Sequence, residues 1–211
     1  MNKDNAWAII PAKPLYRAKS RLARALKSSE RAALVRSMLL HTLDVLSLVK
    51  GITGIVVVST DRAVHEITRE KNAIALVETG SGLNSAVLQA KEWLVSQHDA
   101  PAVLIVPLDL PLLTTSDIES MLDLAFGETC VVIAPDRRDE GSNALLLRPP
   151  DVITPAFGPS SFETHRMRAT ARNIPVRVYR SATIALDIDL PDDLDRFNKL
   201  SALLHTLSPD E

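Results

Sequence analysis

The sequence predicts a three-layer α/β protein, a mainly parallel sheet with helices on both faces, and three observations lead there. Short apolar runs alternate along the chain with longer amphipathic stretches, the rhythm of βαβ units. The runs Ile55-Val56-Val57-Val58 and Val103-Leu104-Ile105-Val106 are apolar without alternation, as strands covered on both faces require. Leu34, Val35, Met38, Leu39, Thr42, Val45, Leu46 and Val49 recur at three- and four-residue spacing, which makes one buried helical stripe. With 211 residues, 46% of them hydrophobic, the chain can bury one sizeable core, and residues 1–211 read as a single domain with a frayed tail over 206–211.

In chain order, strands are expected over 6–11, 54–59, 73–77, 102–107, 130–135, 144–147 and 176–179. Helices are expected over 29–48, 62–70, 83–97, 115–126, 161–172 and 191–204. Several helix starts are written locally. Thr114-x-x-Asp117 and Ser160-x-x-Glu163 have the form of capping boxes, Asp61 reads as an N-cap, and Pro191-Asp192-Asp193 suits a first turn. No internal repeat or low-complexity segment interrupts this pattern.

Composition excludes several classes of function. A net charge of −2 and 4% aromatic residues argue against a nucleic-acid binder, which needs a broad basic face with stacking side chains. No apolar run approaches the roughly 18 residues of a membrane span. The single cysteine, Cys130, lies in an apolar run and reads as a small buried hydrophobe, so the expectation is a cytoplasmic protein without disulfides.

Against that mild acidity, residues 13–36 carry eight Lys or Arg and one acid, Glu30. The cations begin directly after the first strand, in Lys13-Pro14-Leu15-Tyr16-Arg17-Ala18-Lys19-Ser20-Arg21. Ligands of open α/β sheets sit beyond the carboxyl ends of the strands, so Lys13, Lys19 and Arg21 are expected at a phosphate, and the later cations on a solvated helix face. Acids appear at two comparable positions. Asp109 follows the strand over 102–107 between Pro107 and Pro111, which hold the backbone extended. Asp187 and Asp189 alternate with Leu186, Ile188 and Leu190, so in an extended segment both carboxylates share one face and repel unless a cation or proton lies between them. The plainer reading makes Asp189 the N-cap of the helix at Pro191.

The helix start after Gly158 offers unpaired N–H groups and the positive dipole end to an anion, with Ser161 donating both N–H and hydroxyl. Ser160 and Glu163 read as reciprocal caps there, and His165 as either a ligand or an ordinary helix residue. Gly80-Ser81-Gly82 opens another helix, in which the Asn84 amide has the donor and acceptor needed to read a base edge. Gly141-Ser142-Asn143 precedes a strand and reads by itself as a turn.

Taken together these residues resemble the guanylyltransferase family of deazaflavin (coenzyme F-420) biosynthesis, which acts on 2-phospho-L-lactate or phosphoenolpyruvate. The resemblance runs in order through Ile10-Pro11-x-Lys13 with Ala18-Lys19-Ser20-Arg21-Leu22, Gly82-Leu83-Asn84-x-Ala86, Asp109-Leu110-Pro111, Gly141-Ser142-Asn143-Ala144-Leu145, Phe157-Gly158-x-x-Ser161-Phe162-x-x-His165 and Asp187-Ile188-Asp189-x-Pro191-x-Asp193-Leu194. It implies a GT-A-like nucleotidyltransferase fold, GTP as donor, and Mg2+ held by Asp109, Asp187 and Asp189. It implies also that Ser142, Asn143, Gly158 and Ser161 hold the acceptor phosphate, and it suggests a homodimer; Lys13, Gly82 and Asn84 are expected to meet the nucleotide. One departure is Ser142, where the family more often carries threonine; the hydroxyl stays and a methyl is lost.

The expected reaction is in-line attack of an acceptor phosphate oxygen on the α-phosphorus of GTP, with Lys13, Lys19 and Arg21 neutralising the triphosphate. Phosphoenolpyruvate, 2-phospho-L-lactate and 3-phospho-D-glycerate all join a carboxylate to a phosphate within a few bonds, and phosphoenolpyruvate is favoured. The competing readings are a sugar or molybdenum-cofactor nucleotidyltransferase on the same fold, and a nucleotide-binding regulatory domain without catalysis.

Overall fold

A computed structural model describes residues 5–207. Seven strands form one sheet: β1 (Ala6–Pro11), β2 (Ile52–Ser59), β3 (Ile74–Val77), β4 (Val103–Ile105), β5 (Cys130–Pro135), β6 (Ser142–Arg148) and β7 (Val176–Val178). Six helices alternate with them: α1 (Ser28–Leu48), α2 (Arg62–Glu70), α3 (Leu83–His98), α4 (Thr115–Leu124), α5 (Ser161–Thr170) and α6 (Pro191–Leu207). Of the tail expected to fray, 206 and 207 belong to α6 and 208–211 lie outside the described residues.

The strand order is β3-β2-β1-β4-β6-β5-β7. β1 pairs in parallel with β2 and β4, β2 with β3, and β5 with β7, whereas β6 runs antiparallel to both β4 and β5. The sequence pattern places this strand but not its direction. A short loop over 136–141 turns the chain back, and there the Asp136 carboxylate accepts backbone N–H groups from Arg138, Glu140 and Gly141. A side chain at Gly141 would come within 3.0 Å of that carboxylate, so glycine permits the close approach.

One core lies between the sheet and α1, α2 and α4, with Met38, Leu39, Leu43, Val64, Ile118 and Met121 at its centre. The other lies between the opposite face and α3 and α5, around Val87, Leu94, Ile105, Ile133 and Phe162. Cys130 is buried and free, as its apolar run indicates. From β1 the strand order departs one way to β2 and the other way to β4, and the crevice at such a switch point is where open α/β sheets bind ligands.

Candidate active site

Both acidic segments and the cationic loop converge at this switch point. The loop after β1 closes into a short 3-10 helix, Ser20–Arg24. Lys19 stands just before it with φ of 54°, a left-handed backbone uncommon outside glycine, and this turns its side chain inward. Its ammonium lies 3.1 Å from Asp109 Oδ2 and 2.9 Å from Asp189 Oδ1. Burial by itself would lower the Lys19 pKa, but Asp109 and Asp189 outweigh it and hold the group above the ordinary lysine value. Lys19 thus meets carboxylates where a phosphate contact was expected. Arg21 is exposed and reaches to 3.7 Å from Asp189 Oδ2.

Asp109 is tied to the second acidic segment through its own backbone, because its carbonyl accepts the N–H of Ile188. In that segment Leu186 and Ile188 are buried while Asp187 and Asp189 border the cleft, so the expected alternation holds over 186–189; Leu190, expected on the buried face, is exposed at the cleft. Asp189 does not cap α6. Asp193 does so, accepting from the backbone N–H groups of Asp189 and Leu190, and this leaves the Asp189 carboxylate to Lys19. Burial raises Asp189 less than Lys19, Arg21 and Lys13 lower it, so it stays below the usual carboxylate range. Among the described residues Asp187 has no such cation. Burial, then the charge of Asp109, then those of Asp189 and Asp193, push it up to about 6.

That unmet negative charge, on a donor set made wholly of carboxylate oxygens, suits a hard divalent cation such as magnesium. Among the described residues no group of three His, Cys, Asp or Glu forms a ready-made metal cluster, and two of the three aspartates are paired with Lys19.

Across the same cleft, of about 480 Å³, stand Ser142, Asn143, Gly158 and Ser161. All four are uncharged, and Ser142, Asn143 and Ser161 are buried while Gly158 is exposed. Ser161 Oγ accepts the N–H of Ser142 at 2.9 Å, so its own hydroxyl hydrogen remains available to a ligand. The Ser161 N–H is not available, since it donates to Gly158 O, and the expectation that it meets a phosphate is corrected. Ser160 likewise does not form the expected cap: it adopts a left-handed backbone and its side chain makes no capping bond. The box at Thr114 and Asp117 does form, and Asp61 caps α2.

His165, fully buried and one turn after Ser161, supplies a feature that sequence reasoning left open. Its Nε2 accepts the N–H of Ala156 at 2.9 Å, and Nδ1 lies 2.9 Å from Ser142 Oγ. Burial, then Arg168, drop its pKa to about 4, so the ring is neutral, and the proton must sit on Nδ1 and be donated to Ser142. The Ser142 hydroxyl hydrogen is therefore directed elsewhere. Two hydroxyl donors, Ser142 and Ser161, border the cleft, each with one acceptor lone pair already engaged. The i, i+4 spacing of Ser161 and His165 was the available signal.

Asn143 donates to Ile184 O at 2.9 Å, which holds the chain leading to Asp187. Buried Asp117 anchors the same chain by accepting from Tyr179 and Thr183. Asn84 is where the expectation does not hold. Its amide donates to Phe157 O at 2.8 Å and accepts from Phe157 N at 2.7 Å, so its donor–acceptor edge clasps the backbone beside Gly158 and does not face a base. Gly82, with φ of 91°, and Lys13 instead line a second cleft of about 300 Å³, beyond the ends of β1, β2 and β3. The two clefts share Leu83.

The fold is that of the nucleotide-diphospho-sugar transferases. The chain superposes, with a TM-score of 0.77 at 16% identity, on a Desulfovibrio desulfuricans protein described as such a transferase, covering 96% of this chain and 90% of that one. The chain belongs to the family described as "Guanylyl transferase CofC like", which it matches over residues 6–201. It is 40% identical over 188 residues to a phosphoenolpyruvate guanylyltransferase of Sphaerobacter thermophilus, 89% of this chain and 90% of that one. It is 35% identical over 188 residues to a 2-phospho-L-lactate guanylyltransferase of Methanothermobacter thermautotrophicus, 89% of this chain and 81% of that one. The protein is accordingly a nucleotidyltransferase. No helix of the described residues is long and apolar enough to cross a membrane.

Proposed function

We propose that the protein transfers GMP from GTP to the phosphate of a small phosphorylated carboxylic acid and releases pyrophosphate, as a step of coenzyme F-420 biosynthesis. Phosphoenolpyruvate is the favoured acceptor, with 2-phospho-L-lactate and 3-phospho-D-glycerate as alternatives. The observation that carries the reading is a single cleft with two unlike walls: charged Lys19, Asp109, Asp187 and Asp189 on one side, and the hydroxyl donors Ser142 and Ser161 on the other.

An acceptor phosphate oxygen held by the two serine hydroxyls attacks the α-phosphorus. A new P–O bond forms, the bridge to the β-phosphate breaks, and the bonding pair leaves with pyrophosphate. No protein nucleophile is required, because this chemistry depends on positioning and on neutralising charge. Lys13 and Arg21, exposed along the loop after β1, neutralise the triphosphate and the departing pyrophosphate. Asp109, Asp187 and Asp189 would hold magnesium, which when bound supplies charge neutralisation at the transferring phosphate.

Pyrophosphate release from GTP, measured with each acid in turn and with and without magnesium, tests this. Release should require an acceptor and be fastest with phosphoenolpyruvate. Absence of acceptor-dependent release with all three acids would overturn the reading.

A further inference from the structure

We propose that Glu78 selects the donor's base, by accepting two hydrogen bonds from the Watson–Crick edge of guanine in the cleft beyond β1, β2 and β3. This rests on the reading of the protein as a guanylyltransferase and names a residue for it.

Glu78 directly follows β3, and its N–H donates to Ser59 O at 2.9 Å, so its backbone is fixed at the sheet's carboxyl edge. Strand alternation puts its side chain on the face of Ile74 and Leu76, which pack on the core that α3 covers. On that side lies the second cleft, where Glu78 stands with Pro11, Ala12, Leu83 and Ala86. These four are apolar and can cover the faces of a flat ring, and Glu78 is the only carboxylate among the lining residues. It is half-buried, and among the described residues its carboxylate makes no hydrogen bond or ion pair. The neighbouring Thr79 is by contrast tied to Gln89, so this end of the strand is held in place.

The chemistry of the edge identifies the base. A carboxylate is an acceptor only, with two oxygens side by side. Guanine presents two donors side by side, N1–H and the 2-amino group. Adenine and cytosine each present a donor beside an acceptor, and uracil a single donor between two acceptors, so guanine alone satisfies both oxygens. The cleft also stands in the right relation to the reacting centre, since Leu83 borders both clefts and Lys13, in this one, acts electrostatically on Asp189 in the other.

Equilibrium binding of GTP, ITP and ATP to the unaltered protein, Glu78→Gln and Glu78→Ala tests the assignment without needing an acceptor or turnover. ITP is GTP without the 2-amino group. The unaltered protein should prefer GTP to ITP, and both to ATP. Each variant should weaken GTP by about ten- to a hundredfold, the scale of hydrogen bonds to a charged group. ITP should weaken less, so that the GTP-to-ITP ratio falls towards one. Equal losses for GTP and ITP, or no loss for either, would overturn the role of Glu78 while leaving GTP as donor. An unaltered protein with no preference for GTP would overturn the donor itself, and the base-reading role with it.

Discussion

The two walls of the cleft solve opposite electrostatic problems. The wall built from the β1 loop and the acidic segments is charged and partly exposed: Lys19 is shared between Asp109 and Asp189, Arg21 hangs outside, and Asp187 has no cation of its own. The wall built from β6 and α5 is neutral and buried, with Ser142, Ser161 and His165 fixed by bonds among themselves and to backbone. The difference separates two ways of receiving a phosphate. The charged wall must exchange partners when a triphosphate or a cation arrives, and reorganising charge costs energy there. The neutral wall already has its two hydroxyl hydrogens as its open groups and needs little adjustment, which is how preorganised donors act.

The largest expected effect is on the charged wall. Asp187→Asn, Asp189→Asn and Asp109→Asn should each lower turnover by about two orders of magnitude or more while the protein stays folded, the scale of losing one strong electrostatic catalytic interaction. Near-normal turnover of folded Asp187→Asn at saturating magnesium would break the comparison, since the charge would then have no catalytic role.

Lys19→Ala sharpens it. Without the ammonium, Asp109 and Asp189 face each other and Asp187 uncompensated, so unfolding stability without divalent cations should fall by about 1–3 kcal/mol. Magnesium should then raise the melting temperature of the variant more than that of the unaltered protein. Equal magnesium shifts in the two proteins would show that these carboxylates are not where the ion acts.

On the neutral wall, Ser161→Ala and Ser142→Ala should cost roughly 1–3 kcal/mol in kcat/KM for the acceptor and leave GTP affinity unchanged, because one hydroxyl to a charged oxygen is lost in each. Steady-state kinetics with acceptor and GTP varied separately decides this. A loss confined to GTP would exchange the roles of the two walls.

The last effect is on stability, through His165. Its folded pKa, about 4, lies below the ordinary 6.5, so between these values the unfolded chain binds the extra proton. Its contribution is therefore complete above pH 6.5 and is lost as the pH falls towards 4, by about 2–3 kcal/mol over that window. His165→Asn should flatten that part of the pH–stability curve. An unchanged slope would mean that the ring is not held neutral.

Local signals carried much of this protein. β1, β5 and α2 have the bounds that their apolar runs and punctuation indicate, and the Thr114 box and Asp61 cap form because they depend on residues three or fewer positions apart. The Ser160 box does not form, because Ser160 is drawn into a left-handed turn and α5 instead aims Ser161 and His165 at the sheet. The Asp189 cap does not form because its carboxylate is drawn to Lys19, while Asp193 accepts the N–H groups of Asp189 and Leu190 at the helix start.

By itself the sequence determined the α/β class, the apolar strands, the cationic loop after β1 and the pairs of acids and hydroxyls that carry the chemistry. These follow from residue type and short-range spacing, which the backbone periodicities translate directly into faces and edges. Only the tertiary structure decided who meets whom: that Lys19 lies between two aspartates 90 and 170 positions away, that Asn84 clasps Phe157, and that His165 fixes the direction of the Ser142 hydroxyl. Such partnerships depend on strand order and on the antiparallel return of β6. Those are set by which faces bury together, and no local pattern records them.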